Sequence, residues 1–148
     1  MQSILVRVLI LALAGALSWL AVWIGRRFVE RRRQAALAAT GAEFDSGTTG
    51  APVRILAFSS ADCTQCHRLQ RPALRRVQDA LGEDTVEVVE IDGPSSPELT
   101  KRYNVLTVPT TVVLDASGHA HAVNFGFANA QKLLSQVDTV LTGARAAS

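Results

Sequence analysis

With 148 residues, 15 Lys and Arg against 13 Asp and Glu, and only two cysteines, the chain has room for one small folded domain beyond its apolar start. A net charge of +2, with no basic and aromatic-rich stretch outside a single arginine cluster, speaks against nucleic-acid binding. Two cysteines and three histidines, without a second paired cluster, speak against a structural zinc site.

Residues 8–25 are an uncharged run of 18. As a helix it covers about 27 Å, close to the roughly 30 Å hydrocarbon core of a bilayer. It has no polar face, which sets it apart from the core helix of a globular domain, and Trp19 and Trp23 suit a headgroup interface. Arg26, Arg27, Arg31, Arg32 and Arg33 follow it, opposed only by Glu30, whereas Arg7 alone precedes it. A cleaved signal peptide is the rival reading, with Ala36-Leu37-Ala38 as its cleavage site, but its charge belongs before the apolar stretch. The chain is therefore expected to keep a single-pass membrane anchor. The positive-inside rule places everything after it in the cytoplasm, an extracytoplasmic domain being the alternative. Three parts are expected: an anchor with its arginine-rich flank over 1–39, helical on through 28–39; a flexible linker over 40–52, rich in Gly, Ser and Thr; and a folded domain over 53–148.

Within that domain, the apolar run Ile55-Leu56-Ala57-Phe58 predicts a buried strand over 53–59. Leu69, Ala73, Leu74, Val77 and Leu81 recur at helical spacing and predict a helix over 63–81, stopped by Gly82. A strand over 86–91 alternates apolar and acidic residues, and a short helix over 96–103 carries Pro97 in its first turn. Strands over 110–114 and 119–125 are joined by the turn 115–118. Asn129 caps a closing helix with Leu133, Leu134, Val137, Val140 and Leu141 on one face. The α/β order β-α-β-α-β-β-α predicts a four-stranded mixed sheet flanked by helices. Both crossovers are expected to make parallel pairs and the late turn an antiparallel hairpin.

The two cysteines fall together in Asp62-Cys63-Thr64-Gln65-Cys66, a spacing that chance would produce only about one or two times in a hundred. At the start of a helix, unpaired N–H groups and the helix dipole favour the thiolate of the first cysteine. Cys63 is then the nucleophile that attacks a substrate disulfide, and Cys66, one turn on, resolves the mixed disulfide. The pair itself carries two electrons, so no bound cofactor is required. Two alternatives stay open. One is a pair of buried structural cysteines. The other is covalent c-type haem attachment at Cys63-Thr64-Gln65-Cys66-His67, against which Met1 is the only methionine available as a second axial ligand.

A Cys-x-x-Cys opening a helix after a buried strand, with Val108-Pro109-Thr110 at a later strand entrance, resembles the thioredoxin family. Ile91-Asp92, the turn 115–118 and Gly126 extend the resemblance over residues 53 to about 141. It implies a cis Pro109 lying against the cysteines and a Val108 backbone offered to an extended substrate peptide. Asp62, Thr64 and Gln65 would complete that substrate surface. It also implies a disulfide-containing protein substrate and an upstream electron donor: thioredoxin reductase, or a transmembrane thiol carrier if the domain faces outward. The expected function is a membrane-tethered protein-disulfide reductase. The alternative is a non-enzymatic redox-sensing or peptide-binding module on the same fold.

The departures from the family are specific. Asp62 and Thr64-Gln65 stand where thioredoxins carry Trp and Gly-Pro, and an acidic neighbour opposes the thiolate of Cys63, with protonated His67 acting the other way. Ala57 and Val88 align with the family's buried carboxylate and its lysine partner, leaving proton handling unassigned. Pro72 lies one residue later than the family's helix proline, and the family's additional leading strand and helix find no room in the linker. His119 and His121 share one face of a hairpin strand, which reads as a solvated face before a metal pair.

Overall fold

The computed structural model describes residues 2–38 and 50–146, so most of the linker expected over 40–52 lies outside the described residues. The chain divides into two compact units, Met1–Gln34 and Ala35–Ser148. The described residues of the first lie within helix α1, Gln2–Leu37. Val6–Leu37 is long and apolar enough to be a candidate membrane span, with mean hydropathy 2.2 and none of its most apolar window buried. Towards its end the Arg27 guanidinium stacks 4.7 Å from the Trp23 ring. Such a pairing lets an aromatic ring and a cation share an interface.

The second unit is built on a four-stranded mixed sheet in the order β2-β1-β3-β4. β1 is Val53–Ser59, β2 Val86–Asp92, β3 Thr110–Asp115 and β4 Ala120–Phe125. β1 alternates its side chains between two cores and is mainly apolar on both faces, as a central strand must be, with Arg54 ion-paired to Glu87 of β2 at 2.7 Å. Val53, Ile55 and Ala57 join Leu74 and Val77 of α2 (Arg71–Leu81) and Leu133, Val137 and Val140 of α4 (Ala130–Ala146). Leu56 and Phe58 point the other way, toward Tyr103, Val105, Val112, Leu114 and the fully buried Ala36.

One expectation fails here. β1 and β2 are parallel, but β3 runs antiparallel to β1, so the second crossover does not make a parallel pair. The reason is length. α3, Pro97–Arg102, has 6 residues and spans about 9 Å, while a strand of 7 residues is about 23 Å long. So short a helix cannot carry the chain back along the sheet. The chain re-enters at the end it left, which is also the end at which β1 delivers the cysteines.

The helix expected over 63–81 is also interrupted. Helical turns begin at Thr64, but Cys66–Gln70 is a π-helical turn, and the Arg71 N–H reaches back five residues to the Cys66 carbonyl. The extra residue in that turn rotates the face. Leu69, expected in the core, is 46% exposed, whereas Gln70 is buried at 3%. It also accounts for Pro72, whose one-residue delay matches the one residue the wider turn inserts. The caps follow expectation: Gly82 ends α2 at φ 81° with its N–H on the Gln78 carbonyl, and Asn129 Oδ1 accepts from the Lys132 N–H.

Candidate active site

Cys63 follows the turn that leaves β1, where its N–H donates to the Ser60 carbonyl. Cys63 and Cys66 are joined by a disulfide across a Cα–Cα distance of 5.3 Å, and no other cysteine exists. The two sulfurs have different surroundings. Cys63 is partly exposed, while Cys66 is buried at 4%. The Cys66 N–H points at Cys63 Sγ from 3.1 Å, one of the helix-start donors that favour negative charge on that sulfur once the bond is reduced.

Asp62, Thr64 and Gln65 are all exposed around the pair. His67 turns back over the loop, its Nε2–H donating to the Ala61 carbonyl at 3.0 Å. The Val108–Pro109 peptide is cis. The Gly126 N–H donates to the Pro109 carbonyl at 2.8 Å, and φ of +88° at Gly126 lets the chain turn there. On the other side the Gly93 N–H donates to the Ser59 carbonyl at 2.8 Å, and Asp92 holds the loop through Ser95. Beside the Gly93 loop lies an open groove of about 490 Å³, walled by Ser60, Gly93, Thr100, Val105, Leu106 and Val108. Leu106 is 71% exposed beside it.

Gln70 was missed by the sequence reading. Its side chain donates to the Ala128 carbonyl at 3.1 Å and accepts from the Ala128 N–H at 2.9 Å, so the cysteine helix is tied to the loop before α4. Arg71 and Glu90 were missed as well. They form a two-pronged ion pair at 2.8 and 2.9 Å, one turn beyond Cys66. The hydrogen bond from Arg71 holds Glu90 below the usual carboxylate range, against the opposing effect of burial. No pattern within β2 distinguishes Glu90 from Glu87. Only its position opposite Ala57 in the parallel ladder would have singled it out.

His119 and His121 lie on the far hairpin. The His119 and His121 rings meet edge to face at 5.3 Å, and His121 Nε2 lies 2.7 Å from Asp115 Oδ2. Among the described residues no group of three or more His, Cys, Asp or Glu side chains is arranged to hold a metal.

The thioredoxin family model matches residues 35–139. Among curated proteins, none matches the sequence significantly. Three solved structures illustrate the shared fold. A single-site mutant of the thioredoxin from Halobacterium salinarum NRC-1 is 25% identical with a TM-score of 0.53, over 69% of this chain and 87% of that one. Oxidised thioredoxin of Plasmodium falciparum is 22% identical with a TM-score of 0.51, over 69% and 93%. A thiol:disulfide interchange protein, a thioredoxin family protein of Chlorobium tepidum TLS, is 21% identical with a TM-score of 0.50, over 63% and 81%. With a family match across most of its length and a Cys63–Cys66 disulfide at the start of the helix that follows β1, the chain belongs to the thioredoxin family, as a thiol–disulfide oxidoreductase.

Proposed function

We propose that this protein is a membrane-tethered protein-disulfide reductase in which Cys63 attacks and Cys66 resolves. The observation that carries the reading is the asymmetry of the pair, an accessible Cys63 at the helix start bonded to a buried Cys66. In the dithiol form, the Cys63 thiolate attacks one sulfur of a substrate disulfide and expels the other as a thiolate. Cys66 then attacks Cys63 Sγ, the second substrate sulfur leaves as a thiol, and the 63–66 disulfide re-forms. A partner must return two electrons and two protons for the next turnover.

The groove lined by Val108 suits an extended segment of a substrate protein, with the Val108 backbone as its ladder partner, and the exposed Asp62, Thr64 and Gln65 around the cysteines would meet the same substrate. α1 supplies the tether. The arginines after the apolar run favour a domain on the cytoplasmic side, where thioredoxin reductase or a second thioredoxin would recharge it. On the opposite side a transmembrane thiol carrier would be needed.

Substrate trapping tests the roles. Cys66→Ser should accumulate mixed disulfides through Cys63, while Cys63→Ser should accumulate almost none. Equal trapping by the two variants would overturn the assignment. Catalytic turnover of insulin disulfides by the parent protein separates a reductase from a binding module, which would show none.

A further inference from the structure

Resolution of the mixed disulfide requires the buried Cys66 thiol to lose its proton, since only a thiolate attacks Cys63 Sγ. Ala57 and Val88, the two positions that align with the family's proton-handling pair, are both apolar. Ala57 is buried in the core and Val88 packs against it. The chain places another carboxylate on the neighbouring strand, opposite Ala57. Ala57 and Glu90 are partners in the β1–β2 ladder, so the two side chains leave the sheet on one face, beneath α2. Ala57, Cys66, Gln70, Arg71 and Glu90 line a single small cleft of about 10 Å³, room for about one water molecule.

We infer that Glu90, oriented by Arg71, is the group that takes the Cys66 proton, directly or through one water in this cleft. This rests on the reductase reading above. The step balances as Cys66–SH plus Glu90 carboxylate giving Cys66 thiolate plus Glu90 carboxylic acid. The thiolate then displaces the substrate sulfur from Cys63. Glu90, whose side chain is 47% exposed, returns its proton to solvent or to the departing substrate thiolate.

The surroundings of Glu90 suit this role. From the cysteine helix it faces Arg71, Arg75 and His67, all of which favour its ionised form. Its register partner on β1 is Ala57, and Phe58 and Ser59 line the same cleft, so β1 brings no titratable group there. The next side chain on its own face of β2 is Asp92, whose carboxyl is held by Ser95. The carboxylate is thus ready to accept at any working pH.

The test uses the full chain in detergent micelles, fully reduced and then mixed with insulin, with acid-quenched mass analysis from about pH 5.5 to about pH 9. Glu90→Gln keeps the shape and a hydrogen bond to Arg71. It should slow disulfide formation between Cys63 and Cys66 by roughly 10-fold or more near neutral pH and accumulate the Cys63–insulin mixed disulfide. The deficit should shrink toward pH 9, where hydroxide removes the proton unaided. Glu90→Asp should restore part of the rate. A Glu90→Gln profile that superimposes on the parent, or one lowered by the same factor at every pH, would overturn the inference. A parent that reduces no insulin at all would instead remove the reductase reading and the inference together.

Discussion

Gln70 and Asp115 show how single polar side chains hold the site and its sheet. Gln70 is buried, and both of its amide groups are used on the backbone of Ala128. Gln70→Ala strands a buried N–H and a buried carbonyl, which should cost roughly 2–3 kcal/mol and lower the melting temperature by about 10 °C. A thermal melt checks it, and an unchanged midpoint would show that Gln70 is not a tie. Asp115 sits at the tight turn between β3 and β4. Burial works to raise its pKa, but hydrogen bonds from the Ser117 and His121 side chains and the His119 and Ser117 N–H groups outweigh it, bringing the carboxyl from 3.8 to about 2. The folded value is the lower one, so the turn contributes stability that is present above about pH 4 and is lost as pH falls toward 2. Asp115→Asn should therefore cost about 1 kcal/mol near neutral pH, allowing for solvent screening, and close to nothing near pH 2. Urea titrations at the two pH values read the difference directly. The bond from Ser117 to Asp115 is local to the turn, but the Gln70–Ala128 tie and the His121 contact join residues that no local pattern connects.

The π turn between Cys66 and Gln70 belongs to the next scale. Its extra residue moves Leu69 outward, Gln70 inward and Pro72 one place on, while the apolar face of α2 from Ala73 to Val77 stays on the core. Deleting the exposed Leu69 should turn the Arg71-to-Cys66 bond into an ordinary bond between residues four apart. The protein should stay folded, within about 1 kcal/mol of the parent, as an inserted residue in a wide turn predicts. A deletion that abolishes the cooperative unfolding transition would show that the turn is not an insertion. Helical periodicity placed α2 correctly in the sequence but passed Leu69 as a core residue. A helical pattern carries no mark of a local change in pitch. The direction of β3 was misread for a related reason. A helix between two strands suggests a parallel crossover, and only the shortness of α3 reverses it.

At the scale of the molecule, two compact units share one chain, and the first carries a candidate membrane span. Five arginines follow the apolar run and one precedes it. Alkaline phosphatase fused after Ser148 should therefore be inactive and a cytoplasmic reporter active; the reverse pattern would place the domain outside and require a transmembrane source of electrons. The cysteine spacing, the strand before it, the proline at the mouth of β3 and the long apolar run are local patterns. Each follows from the preferences of neighbouring residues, so the sequence alone determined the thioredoxin fold, the redox pair and the candidate span. The pairing of Ala57 with Glu90 and the tie between Gln70 and Ala128 join residues 33 and 58 positions apart, and the antiparallel return of β3 to β1 is long-range in the same way. Those were decided only by tertiary structure, because burial and register bring together side chains that no local pattern connects.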